Sequence, residues 1–357
     1  MRKVLNWSIR IQGPEEPTLA ERPVLWFGLP YLLGAAIVAL AIFAIPPSML
    51  TGLQQQVRAG NTPDAPAALA FAFQQLLTPS GNLLRYFLPV YLFYAPHFMR
   101  QNLIRAERSI SPLLPKGEEQ FHEEFGSVSR LGPQALIWGS LTMVLAASDA
   151  DVFQGPRIAN PVFSFTYTAF TCLALSSMIW AYLTTLRGIH KIGTSQLELR
   201  RYYKDRLLGL KPIGSLSLNL AAVYFGAIGL SMAISFIAGS ILNPVVVVFF
   251  IGFIVFGLLM FFLPLQRIHW VMLNQKLREK QNLENEMEQV YGGMGRRDGT
   301  DLSQVFFRQS LLETTEKRIK GIATWPFDTE TLGKLVVMVA SLLVFLLRRL
   351  IGIPGLT

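Results

Sequence analysis

The chain has 357 residues, of which 51% are hydrophobic and only 15% charged, and its mean hydropathy is +0.38. Ordinary soluble domains carry about 25% charged residues, so this composition excludes a typical soluble enzyme and fits a polytopic α-helical membrane protein. A formal net charge of +9 in a soluble protein points to nucleic acid, but long charge-poor runs make basic cytoplasmic loops the simpler source, and no nucleic-acid partner is expected.

Residues 1–23, "MRKVLNWSIRIQGPEEPTLAERP", lack the apolar core and small-residue cleavage site of a signal peptide and form a cytoplasmic arm. Within it Leu5, Trp7, Ile9 and Ile11 alternate with polar residues, and this period of two predicts a short strand ended by Gly13-Pro14. Such a strand either joins a sheet in a partner or a second copy, or tethers the arm to the membrane interface.

Six apolar segments follow, at 24–46, 83–99, 131–147, 161–185, 217–239 and 244–264. A helix needs roughly 20 residues to cross the hydrocarbon layer, so the second and third are short. The second, "LLRYFLPVYLFYAPHFM", also holds Arg85 near one end, His97 near the other and two prolines between. A seventh segment, 332–352, contains Lys334 and, near its other end, Arg348 and Arg349. It either spans the membrane or lies as a re-entrant or interfacial helix.

Lysine and arginine set the threading. The arm has four, and successive loops 47–82, 100–130, 148–160, 186–216, 240–243 and 265–331 have one, five, one, seven, none and ten. That alternation places the N-terminus in the cytoplasm, in a cell (inner) membrane, and returns the chain to the cytoplasm at residue 265. The expected fold is an all-α polytopic membrane bundle of six or seven helices. Its divisions are the arm 1–23, a six-span bundle 24–264, a cytoplasmic helical hairpin 265–325 and a C-terminal segment 326–357.

The hairpin rests on continuity. From Gln266 to Tyr291 there is neither proline nor glycine, and good helix formers predominate, so one helix projects roughly 39 Å beyond the bundle. Leu273, Leu277, Leu283, Met287 and Val290 make its sparse apolar stripe. "GGMGRRDGT" (292–300) then breaks it, and a second helix starts with Thr300 or Asp301 as N-cap. On that helix Leu302, Val305, Phe306, Leu312 and Ile319 share a face, which predicts an antiparallel pair over 266–320. The hairpin is a rigid connector, a contact between copies in a homo-oligomer, or a dock for a cytoplasmic protein. Heptads are too few for a long coiled coil.

Residues 195–212, "SQLELRRYYKDRLLGLKP", predict a basic amphipathic helix lying on anionic inner-leaflet lipid. His190 and His269, each just past a span and each preceded by an arginine, offer two metal ligands with no third at a fixed spacing. "FHEEFG" (121–126) sets a His beside two carboxylates in a cytoplasmic loop and "SDADV" (148–152) sets two Asp at the outer end of the third segment; either is a weak cation ligand set or, more simply, a group of solvated loop charges. A single Cys172 excludes an intramolecular disulfide.

Away from their ends the six segments contain no Asp, Glu, Lys or Arg. Ion-coupled transporters usually keep such a group at mid-membrane. Gln134, Thr142, Asn219 and the Ser/Thr-rich "SFTYTAFTCLALSS" supply polarity without charge; the last either lines a pore or bonds to neighbouring helices. No catalytic or nucleotide-binding motif occurs, so no catalytic residue, cofactor or metal is expected. The functional expectation is a non-enzymatic channel or sensor, oligomeric, with a cytoplasmic coupling element. The alternative is a permease or a membrane subunit of a transport or export complex that docks a cytoplasmic partner.

Overall fold

The apolar run that begins at Val24 is not one helix. In the computed structural model, which describes residues 14–26, 28–43, 82–147, 161–237, 244–294 and 302–350, it is divided in two. Helix α1 (Glu21–Leu25) stops before Gly28, and α2 (Tyr31–Phe43) starts after Pro30. Gly28 has φ +61, which favours a residue without a side chain, and proline pre-sets the first turn of the next helix. Helix α1 therefore straddles the expected boundary between arm and bundle. The strand expected at 5–12, the carboxylates at 148–152 and the N-caps Thr300 and Asp301 lie outside the described residues.

The remaining helices are α3 (Asn82–Ile110), α4 (Gly117–Phe125), α5 (Leu131–Ala147), α6 (Pro161–Ile192), α7 (Lys211–Ile237), α8 (Pro244–Met294), α9 (Leu302–Lys320) and α10 (Thr329–Leu350). Short 3-10 turns, Ser111–Leu113 and Gly126–Ser129, flank α4. The described residues are all-helical, with no strand among them. Among the described residues four helices are long and apolar enough to cross a membrane, over Thr168–Ile192, Lys211–Phe236, Val246–Val290 and Thr329–Arg348.

Side-chain bonds give the directions of the helices. The Tyr91 hydroxyl donates to the Val223 carbonyl at 2.7 Å and Asn219 donates to Asn102 at 3.1 Å, so α3 and α7 are antiparallel. The Trp138 indole donates to the Ala169 carbonyl at 2.7 Å, setting α5 against α6. Helix α10 instead runs in the same direction as α7: Pro326 lies on Gly214, Leu342 on Gly229 and Phe345 on Phe236.

The packed core sits toward one end, the end from which α8 and α9 project. There Ile110, Leu113, Phe121, Phe125, Ile189 and Leu210 are fully buried, each stabilising the fold by about 1.5–3 kcal/mol. Elsewhere whole helix faces are apolar and uncovered. Leu136 and Met143 of α5 are 76% and 77% exposed, and Val248, Phe249 and Phe253 of α8 are also bare. Patches of this size need an apolar surrounding.

Helix α8 runs 51 residues without a break, through Pro264 and on through Gly292 and Gly293. Helix α9 folds back along it. Ile268, Met272 and Leu283 of α8 are buried against the same core as Leu312, Ile319 and Ile322. Phe306, expected on that face, is instead 68% exposed. It stands six residues from Leu312, whereas Leu312 and Ile319 keep the seven-residue step that holds one face.

Residues 196–210 are not the expected amphipathic helix but a folded loop. The Asp205 carboxylate accepts from the backbone N–H of Leu207 and of Gly209, both at 2.9 Å, which competes with helix formation. Leu208 and Gly209 have φ of +54 and +86, closed to a continuing helix. Leu208 and Leu210 are buried, and the loop is stitched inward by Glu198 N–H to the Leu113 carbonyl at 2.9 Å.

Candidate functional site

Two places gather polar and aromatic side chains. The first is the joint where the α8–α9 hairpin meets the bundle. His269 of α8 donates from Nδ1 to the Thr324 carbonyl at 2.7 Å. Its ring stacks on Trp325 with centroids 4.4 Å apart, and Trp325 stacks in turn on Phe327 at 5.5 Å. Phe262, about two turns back across Pro264, meets Trp325 edge-on at 5.8 Å. Lys276 donates to the carbonyls of Lys320 and Ile322 at 3.0 and 2.9 Å, neutralising the C-terminus of α9.

The linker 321–328 that follows is held on all sides. Ala323 N–H donates to the Arg206 carbonyl of the folded loop at 3.1 Å. Asp328 caps α10, accepting from the Thr331 hydroxyl at 2.7 Å and its N–H at 2.9 Å, and pairs with Lys211 of α7 at 2.9 Å. The Thr331 bonds, with Lys211, hold the Asp328 carboxyl well below the usual carboxylate range. The hairpin root thus touches α7, α8, α10 and the loop at once.

The second place is a charge cluster between the arm and the bundle. The Glu21 side chain is fully buried. Arg100 of α3 donates from Nε to Oε1 at 3.1 Å and to Oε2 at 3.0 Å, and Nη2 lies 3.0 Å from Oε1. His97 Nδ1 lies 2.7 Å from Oε1, and Thr18 N–H donates to Oε2 at 2.6 Å. Arg100 also donates to the Glu15 carbonyl at 2.7 Å. Tyr31 stacks on the His97 ring at 3.9 Å. Burial pushes the Glu21 carboxyl up, but the His97 bond, the Arg100 charge and bonds, and the Thr18 N–H together hold it below its ordinary value.

Neutral groups complete the cluster. Leu19 N–H donates to Gln134 Oε1 at 2.8 Å and Ala20 N–H to Ser177 Oγ at 3.0 Å. Ser177 donates to the same Gln134 oxygen at 3.0 Å, and the Gln134 amide donates to the Val128 carbonyl at 3.0 Å. Ser177, at the end of the Ser/Thr-rich run, thus bonds to the neighbouring helix through Gln134, and both also receive the arm. The cluster is hidden in the sequence because Glu21 falls in the arm and Arg100 in a loop between apolar segments. One signal was available: Thr18-x-x-Glu21 is a capping-box spacing.

The other expected ligands are dispersed. His122 Nε2 lies 2.5 Å from Glu107, and Glu124 pairs with Lys191 at 2.6 Å, so "FHEEFG" joins helices. His190 is exposed and His269 is engaged at the joint. Among the described residues no group of three His, Cys, Asp or Glu stands ready to hold a metal.

These features define a helical protein with four membrane-length helices and a projecting helical hairpin. Comparison with protein-family models, curated proteins and solved structures gives no match.

Proposed function

We propose that the protein is a non-enzymatic, oligomeric membrane channel or sensor in which the hairpin couples to the spans. In this reading the N-terminus and the hairpin lie on the cytoplasmic side of the inner membrane. Seven helices cross, because α10 keeps company with α7 from Pro326 to Phe345. The observation that carries the reading is the single 51-residue helix of α8, whose root is clasped by the linker 321–328. A long rod so held transmits a tilt or rotation of one end to the other, with Pro264 as a kink point at the membrane exit.

The experiment is the subunit count in lipid nanodiscs by native mass spectrometry, with and without residues 270–320, followed by current recording in planar bilayers. A closed ring of three or more subunits that falls apart without the hairpin supports the reading. A monomer that passes no current and is unchanged by the deletion overturns it.

A second reading, a membrane subunit of a transport or export complex, draws on one different observation. Phe306, Phe307 and Leu311 stand 68%, 71% and 57% exposed on α9. A cytoplasmic protein that co-purifies with the wild type and is lost from Phe307→Asp favours this reading; no such loss removes it.

A further inference from the structure

We propose that His97, Arg100, Gln134 and Ser177 form a receptor cradle for an acidic peptide segment, filled in cis by residues 18–21, so that the arm is a displaceable plug. The contacts have the form of ligand recognition. Two successive backbone N–H groups, of Leu19 and Ala20, are read by Gln134 and Ser177, and a carboxylate one residue on is taken by Arg100 with both oxygens engaged. Arginine grips a carboxylate through two parallel bonds, which adds orientation to charge.

The arm is held by a small apolar contact and a larger polar one. Its buried residues in 18–24 are Thr18, Ala20, Glu21 and Val24, of which Ala20 and Val24 join the apolar cluster of Ala35, Val38, Leu88, Leu92 and Phe93. Helix α1 has only five residues and cannot persist by itself. Beyond those two apolar side chains, attachment depends on polar bonds whose formation nearly balances the desolvation of the charges. The Thr18 hydroxyl is buried with no partner among the described residues, which adds a desolvation cost to the seated arm.

The facing groups make the occupant acidic. Around Glu21 stand Arg100 and His97 from α3 and Tyr31 from α2, while α5 and α6 contribute only the neutral Gln134 and Ser177. With the arm out, the cradle presents an arginine with no carboxylate. A basic or neutral segment leaves that charge unpaired. The inference does not depend on the hairpin or on subunit number, so it stands or falls separately from the proposed function.

The test is amide hydrogen exchange of the full chain in nanodiscs. The peptide covering residues 18–25 is expected to exchange at least about tenfold faster than α3 around Leu103 and α6 around Ala181, because a plug opens without global unfolding. Glu21→Gln is expected to raise arm exchange by a further factor of about ten while α3 and α6 stay unchanged. Adding a synthetic peptide of residues 14–25 is expected to speed the arm's exchange by taking the cradle, and its Glu21→Gln counterpart is expected not to. Arm exchange matching that of the core overturns the proposal, as do two peptides of equal effect.

Discussion

Glu21 and Arg100 illustrate how much a single buried pair can govern. Removing one partner leaves the other charged and dry, which costs about 3–5 kcal/mol. Arg100 is only 6% exposed, so Glu21→Ala is expected to lower thermal stability by that order, and Glu21→Leu with Arg100→Met to recover most of it. A double-mutant cycle on melting in nanodiscs checks this; additive losses would mean that the two do not act as a pair. The pair also sets a pH dependence. Glu21 titrates lower in the folded chain than its ordinary 4.5, so it binds a proton more readily when unfolded. Its contribution is complete above that ordinary value and is lost as pH falls through the lower, folded one. Wild type should therefore lose stability more steeply than Glu21→Gln on acidification below about pH 4.5; parallel curves would remove Glu21 as the cause. Gly214 is a steric counterpart: a β-carbon there would run into the Pro326 carbonyl. Gly214→Val is expected to loosen α10 from α7, seen as faster labelling of a cysteine placed at Leu335, which is 2% exposed in the native packing. Unchanged labelling would show that the contact is dispensable.

Among the elements, α8 was the most legible, because a stretch without proline or glycine from Gln266 to Tyr291 leaves the backbone one good option. Pro264 did not end it, since packing against α7 outweighs the loss of one or two helical bonds, and the helix also runs on through the glycines at 292 and 293. The break between α1 and α2 was illegible to hydropathy, which sums apolarity and is blind to chain direction. Gly28 and Pro30 carried the signal. In 196–210 the mixture of basic and apolar residues resembled an amphipathic helix, but Asp205 and Gly209 redirected the backbone. The charge cluster was least legible because its members lie on five helices, far apart in sequence. The hairpin root allows a test of how local such an element is. Lys276→Met removes both bonds, to the last carbonyl of α9 and to that of Ile322 just beyond it, each worth about 1.5–3 kcal/mol when the donor is charged. Amide exchange is expected to rise over 312–322 and to stay unchanged in α8 before residue 264. A rise along all of α8 would mean that the root, not the end of α9, depends on Lys276.

At the scale of the whole molecule, apolar surface and packed core occupy different ends. The bare faces of α5, α8 and α10 carry Met143, Phe249 and Val337, whereas the buried aromatic pair Phe121 and Phe125 sits at the hairpin end. A surface of that kind is stable only in lipid, and a core of that kind forms only where side chains, not lipid, fill the space between helices. Helix α8 crosses from one regime to the other, and its sequence changes with it, from Phe262-Leu263 to Gln266-Arg267. Nitroxide labels placed singly along its outer face should record the change as a depth profile. At Val248, Phe253 and Leu259 collisions with oxygen, which concentrates in hydrocarbon, are expected to dominate. At Leu277 and Gln281 collisions with a water-soluble nickel complex should dominate, and the crossover should fall between Leu263 and Arg267. Lipid-like profiles continuing past Leu277 would lay the hairpin in or on the bilayer, and the rod would then have no water-side end to move.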